Sequence, residues 1–141
     1  MKKTLLFLGA ILLLAAAAVA YLQYNKPHRN TSNEAPAYAL SALELLQEYE
    51  TDEAAANAKY LDKLLQVNGQ LREYAQAQDG TYMLMLETGN PMAAVSSELL
   101  PGEGAKLSRY QPGDQLTFKG ICTGKLMDVV LVRSVILEEE K

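Results

Sequence analysis

Apolar and polar positions change their period twice along this chain of 141 residues. The stretch Leu5–Ala20 carries no charge, and the apolar run continues to Leu22. From Ser41, residues Leu43, Leu46 and Tyr49 recur at helical spacing, which predicts a short amphipathic helix over Ser41–Glu50. Ser41-Ala-Leu-Glu44 opens it as a capping box, in which Ser41 satisfies an orphan N–H and Glu44 reaches back. A second helix is expected from Thr51 or Asp52 to about Leu61. Ala54, Ala55, Ala56 and Ala58 favour it intrinsically, and Asp52 and Glu53 place negative charge at its positive end.

The period then drops to two. Leu65, Val67, Gly69 and Leu71 share one face of a strand over Lys63–Arg72, while Gln66, Asn68 and Gln70 share the other. Gly69 inside a strand predicts a bulge or sharp coil. After the turn signal Asp79-Gly80, Tyr82, Leu84 and Leu86 alternate with Met83 and Met85 as the second strand of a hairpin. Asn90-Pro91 turns the chain into a short third strand at Met92–Ser97. Glu98–Tyr110 reads as a loop with one helical turn. A fourth strand follows at Gln115–Thr123, with Leu116, Phe118, Gly120 and Cys122 inward and Thr117, Lys119 and Ile121 outward. The turn to the fifth is placed at Thr123-Gly124-Lys125. The near-continuous apolar run of Met127–Leu137 predicts burial on both faces. Five short strands, with the longest irregular connection between the third and fourth, give the plan of a five-stranded OB-fold barrel. The chain is therefore read as mainly β: a hydrophobic N-terminal helix (1–24), a linker (25–37), a segment with two short α-helices (38–62) and the barrel (63–138).

Composition narrows the chemistry. Cys122 is the single cysteine and His28 the single histidine, so neither a disulfide nor a zinc site is expected. No Asp-x-Asp-x-Asp-Gly calcium loop, Ser-His-Asp arrangement or complete phosphate loop is present, and no cofactor is expected. From Ala37 onward, nine Lys or Arg face sixteen Asp or Glu, a net charge of −7. Nucleic-acid binding draws on phosphate neutralisation, so it would need a patch gathering Lys106, Arg109, Lys119 and Lys125. At the N-terminus two readings compete. A signal anchor fits Lys2 and Lys3, about twenty residues before Asn25, and Tyr21 and Tyr24 at the interface. A cleavable signal peptide fits Ala18-Val19-Ala20 as its cleavage site. Either exports the domain, and the anchor is preferred. The Lys26-Pro27-His28-Arg29 cluster then reads as a solvated flank.

The segments DEAAANAKYLDKLLQVNGQL (52–71) and GDQLTFKGICTGKLMDVVLVRSVI (113–136) resemble the tRNA_anti-like family of bacterial envelope proteins. The shared pattern falls at Ala58-Lys59-Tyr60, Lys63–Gly69, Gly113-Asp114, Lys119–Gly124 and Asp128–Leu131. It gives Gly69, Gly120, Cys122, Gly124 and Asp128 as structural motif residues. The resemblance implies the OB fold and a membrane-anchoring N-terminal segment.

Cys122 is expected to be a small buried residue in phase with Leu116 and Phe118. Gly120 and Gly124 are expected to serve coiling and turning, and Asp128 to hold the final turn. OB barrels bind through the face of their second and third strands and the adjacent loops. By position this nominates Tyr74, Tyr82, Arg109 and Lys125 as contacts. The reading is a non-catalytic binding or scaffolding module with a protein, peptide or glycan partner. A nucleic-acid module and a small envelope enzyme are the alternatives.

Overall fold

A computed structural model describes residues 1–24 and 30–138. The cluster at 26–29, with His28, and the last three residues of the acidic tail lie outside the described residues. Helix α1 (Lys2–Tyr24) has 23 residues, about 35 Å at 1.5 Å per residue. It is long and apolar enough to cross a membrane, and none of its residues is buried by the rest of the chain.

The domain starts with a short strand, β1 (Tyr38–Ser41), where no strand is expected from the sequence. Helices α2 (Ala42–Thr51) and α3 (Glu53–Tyr60) follow as predicted. Ser41 accepts from Glu44 N–H at 3.1 Å, and Glu44 accepts from Ser41 N–H at 2.8 Å, completing the capping box. Asp52 caps α3 by accepting from Ala55 N–H at 3.1 Å.

Strands β2 (Leu64–Gln76), β3 (Tyr82–Leu86), β4 (Val95–Leu99), β5 (Gln115–Lys125) and β6 (Val129–Leu137) form one sheet in the order β1-β2-β3-β4-β6-β5. β2 also pairs with β5, which closes β2, β3, β4, β6 and β5 into the five-stranded OB barrel. β2 can reach both neighbours because it is long and irregular: its first half pairs with β5, its second with β3. β1 lies parallel to the first half of β2 at the edge of the sheet. A short helix, α4 (Gly104–Leu107), fills the long connection between β4 and β5.

The core packs α2 onto the barrel. Leu45, Leu46 and Tyr49 are buried with Leu65, Val67, Leu86, Phe118 and Leu131. Gly69 has a different role from the one expected. The register break in β2 falls between Leu71 and Glu73. At Gly69 a Cβ would come within 3.2 Å of Ala42 Cβ, so glycine there admits the start of α2. The third barrel strand begins three residues later than expected, because Asn90–Ala94 are taken up in the loop. The last turn is also displaced. β5 runs on through Lys125, and Gly124 adopts φ 106° within it, beside a break in the β5–β6 register. The chain reverses instead over Leu126–Asp128, where Leu126 N–H donates to Asp128 O.

The largest departure from the alternation rule is Lys119. Expected outward, it is only 7% exposed. Its Nζ donates to Ser32 O at 2.8 Å and Glu34 O at 2.9 Å. Thr31, buried nearby in sequence, donates from its hydroxyl to Arg133 O at 2.7 Å. Residues 31–34 thus form a strap fastened to β5 and β6.

Candidate functional site

The outer face of β3 and β4 follows from their pairing. Leu84 and Leu86 turn into the core, so Met83 and Met85 turn out. Met83 pairs with Glu98 and Met85 with Ser96, while Glu73 of β2 pairs with Met85 and Val130 of β6 with Ser96. These partners continue the same face. Two loops extend it. Asp128 Oδ1 accepts from Ala94 N–H at 2.9 Å, and Val129 N–H donates to Ala94 O at 3.1 Å. These bonds lock the β3–β4 loop to the β5–β6 loop. Asp128 therefore bridges two loops rather than capping its own turn. On the locked pair stand Met92 (73% exposed), Leu126 (87%) and Met127 (69%). Large apolar side chains in two adjoining turns carry no folding advantage while they face water.

Electrostatically the strands of this face are acidic or neutral, with Lys125 at the edge of the β5–β6 turn. Glu73 and Glu98 are exposed on it. The nearby Arg72 is held in a bidentate pair by Glu87, at 2.9 Å and 2.6 Å, and also donates to Asn90 O. That guanidinium holds the Glu87 carboxyl down to about 2, helped by the N–H groups of Gly89 and Thr88.

The four nominated contacts do not come together. Tyr74 pairs with Leu84 and is 39% exposed. Tyr82, nominated as a contact, is half-buried against the core. A Cβ on Gly104 would collide with its ring. Its visible edge lines a cleft with Asp79, Thr81, Leu100, Pro101 and Ala105. Arg109 is exposed and pairs with Glu138 at 2.8 Å, just past the end of β6. Lys125 pairs in register with Val129 at the start of β6. Nine residues of strand separate Val129 from Glu138, about 30 Å at 3.3 Å per residue. The four-residue basic patch does not form either. Lys106 bonds Glu103, Arg109 bonds Glu138, Lys119 is buried under the strap, and Lys125 ends β5 next to Leu126.

Cys122 is buried, with its Sγ 3.4 Å from Tyr49 Oη. Burial first, then this contact, raises the Tyr49 phenol. Gly120 sits where a Cβ would collide with Ser134 Oγ, which accounts for glycine at the β5–β6 register break. Met92, Leu126 and Met127 are surface residues that strand and helix periodicity does not single out. Their signal was present: apolar side chains in turns, where polar ones are usual.

The tRNA_anti-like family model matches residues 1–136. No curated protein matches the sequence. Among solved structures, a Klebsiella pneumoniae lipoprotein, named as a candidate nucleic acid-binding protein, is 16% identical with a TM-score of 0.57. The match covers 70% of this chain and 91% of that one. The Stn1–Ten1 complex of S. pombe is 13% identical with a TM-score of 0.42, over 54% of this chain and 59% of that one. The likeness to the lipoprotein is one of fold.

Proposed function

Because the chain belongs to the tRNA_anti-like family, we propose that it is a non-catalytic binding module of the cell envelope. Helix α1 holds it to a membrane, the domain faces away from the cytoplasm, and the β3–β4 face takes a protein or peptide partner. One observation carries this reading: the surface that OB barrels use for ligands presents Met83, Met92, Leu126 and Met127 beside Glu73 and Glu98. Methionine is enriched at protein interfaces and adapts its shape to a partner. Single-strand binders instead line this face with basic and stacking aromatic groups, whereas here Arg72, Lys106 and Arg109 are paired and Lys119 is buried, which leaves Lys125 beside Leu126.

The test is fluorescence anisotropy of the full chain with single-stranded DNA and RNA oligonucleotides at low salt. No binding is expected. Affinity that falls steeply with salt would overturn the reading in favour of a nucleic-acid module. A photo-crosslinker at Met127 in cells should capture a defined envelope protein, and Met83→Lys should abolish that capture. Fractionation with intact mass separates the anchor from its alternative. Membrane-bound chain at 15.5 kDa supports the anchor, whereas a soluble species starting at Tyr21 means cleavage.

A further inference from the structure

The chain leaving the apolar helix joins the domain at one defined place. Helix α1 ends at Tyr24. Thr31 is buried, and its hydroxyl donates to Arg133 O of β6 at 2.7 Å. The strap then crosses β5, where Lys119 Nζ donates to Ser32 O and Glu34 O. Ala37 N–H donates to Leu64 O at 2.8 Å and ends the crossing at β2. The tether is therefore fastened at the β5–β6 seam, and it is short. Tyr24 and Thr31 are seven residues apart in the sequence, which span at most about 25 Å when fully extended.

That reach limits how the barrel can sit. Around the barrel the strands run β2, β3, β4, β6, β5 and back to β2. β3 pairs with β2 and β4 and is the barrel strand that borders neither β5 nor β6. Facing sheet backbones stand about 10 Å apart, and outward side chains add about as much again. The path round the outside from β6 to β3 is then on the order of 30 Å. The tether falls short of it, so β3 cannot be turned onto the surface from which α1 emerges. Charge points the same way. Ser32 and Asn33 stand exposed on the strap and are neutral, and the tether sequence holds Lys26 and Arg29. Glu73 and Glu98 are exposed and pair with β3. A bilayer bearing anionic lipids attracts the basic tether and repels the acidic strands.

We propose that the strap sets the domain's orientation on the membrane. It holds the β5–β6 seam against the lipid headgroups and turns β3, with Met83, towards the aqueous side. The partner of the β3–β4 face then approaches from the water and not from within the bilayer. This rests on α1 remaining as the anchor.

The test uses the full chain in nanodiscs of phosphatidylethanolamine and phosphatidylglycerol. Bimane is attached at Thr123→Cys, exposed on β5, or at Met83→Cys on β3. The parent chain, whose Cys122 is buried, is the blank. A nitroxide on the lipid headgroup should quench the label at 123 several-fold more than the label at 83. Inserting about twelve Gly and Ser residues after Asn25 leaves the domain untouched and frees its rotation, so the two labels should then quench alike. A chain that does not co-elute with the nanodisc overturns the anchor reading, and the proposal with it. Co-elution with equal quenching, or with stronger quenching at 83, overturns the orientation alone. A difference that survives the insertion overturns the tether as its cause.

Discussion

Two regions of this barrel invert the usual distribution of polarity. At the seam under the strap a lysine is buried; on the loops after β3 and β5, two methionines and a leucine stand in solvent. At the seam the buried lysine and threonine are both answered, although the Ser134 hydroxyl against Gly120 is buried without a hydrogen bond among the described residues. Lys119 finds the carbonyls of Ser32 and Glu34, and Thr31 finds that of Arg133. A buried charge without such partners would cost several kcal/mol. The loops show the reverse case. Asp128 and Ala94 hold them rigidly, yet the apolar side chains they carry bury nothing. Buried polarity answered by hydrogen bonds, as at Lys119 and Thr31, is a feature of folding. Exposed apolarity on a rigid support is a feature of binding.

The sharpest way to break the seam is Gly120→Val. The new side chain collides with Ser134 and Leu131, and a loss of roughly 3 kcal/mol in urea unfolding is expected. Lys119→Ala leaves two carbonyls without their donor and frees the strap. It should cost about 2 kcal/mol, with new protease cleavage near residues 31–36 as the direct readout. Arg72→Ala removes the clamp on Glu87 and should cost about 1 kcal/mol, since Glu87 is partly exposed. The same pair gives a pH dependence. The Glu87 carboxyl sits at about 2 against an ordinary 4.5. Its stabilisation is therefore present above pH 4.5 and lost as the pH falls towards 2. Urea midpoints from pH 7 to pH 3 should fall in the native chain, and less so in Arg72→Ala. The smallest effect is expected at the loops. Met92, Leu126 and Met127 changed together to Ser should shift stability by under about 0.5 kcal/mol, while abolishing crosslinking from the β3–β4 face. A large loss of stability there would mean that these side chains serve the fold, and the contrast with the seam would collapse.

Much of the architecture is legible along the chain. The capping box at Ser41 and Glu44, the alternation of Leu65, Val67 and Leu71, and the inward phase of Leu116, Phe118 and Cys122 each depend on neighbours within four residues. Spacing alone displays such interactions, and the order of strands that follows defines the OB barrel. The family pattern adds the glycines, although their reasons differ: Gly69 yields to Ala42, and Gly120 to Ser134. Sequence also locates the apolar N-terminal helix, because length and hydropathy are local properties.

The site was less legible, because its decisive contacts join distant positions. Alternation points Lys119 outward, and only a strap 85 and 87 residues earlier turns that face into an interior. Asp128 looks like a turn residue until the fold brings Ala94, 34 positions away, to its carboxylate. β1 exists because β2 offers it an edge, and its four residues show no periodicity long enough to read. The sequence by itself determined the helices, the strand phases and the barrel order, since each arises from interactions within a turn or a pleat. Tertiary structure alone decided which lysine is hidden and which methionines are displayed. Those outcomes depend on which distant segments cover a surface, and local spacing does not encode that.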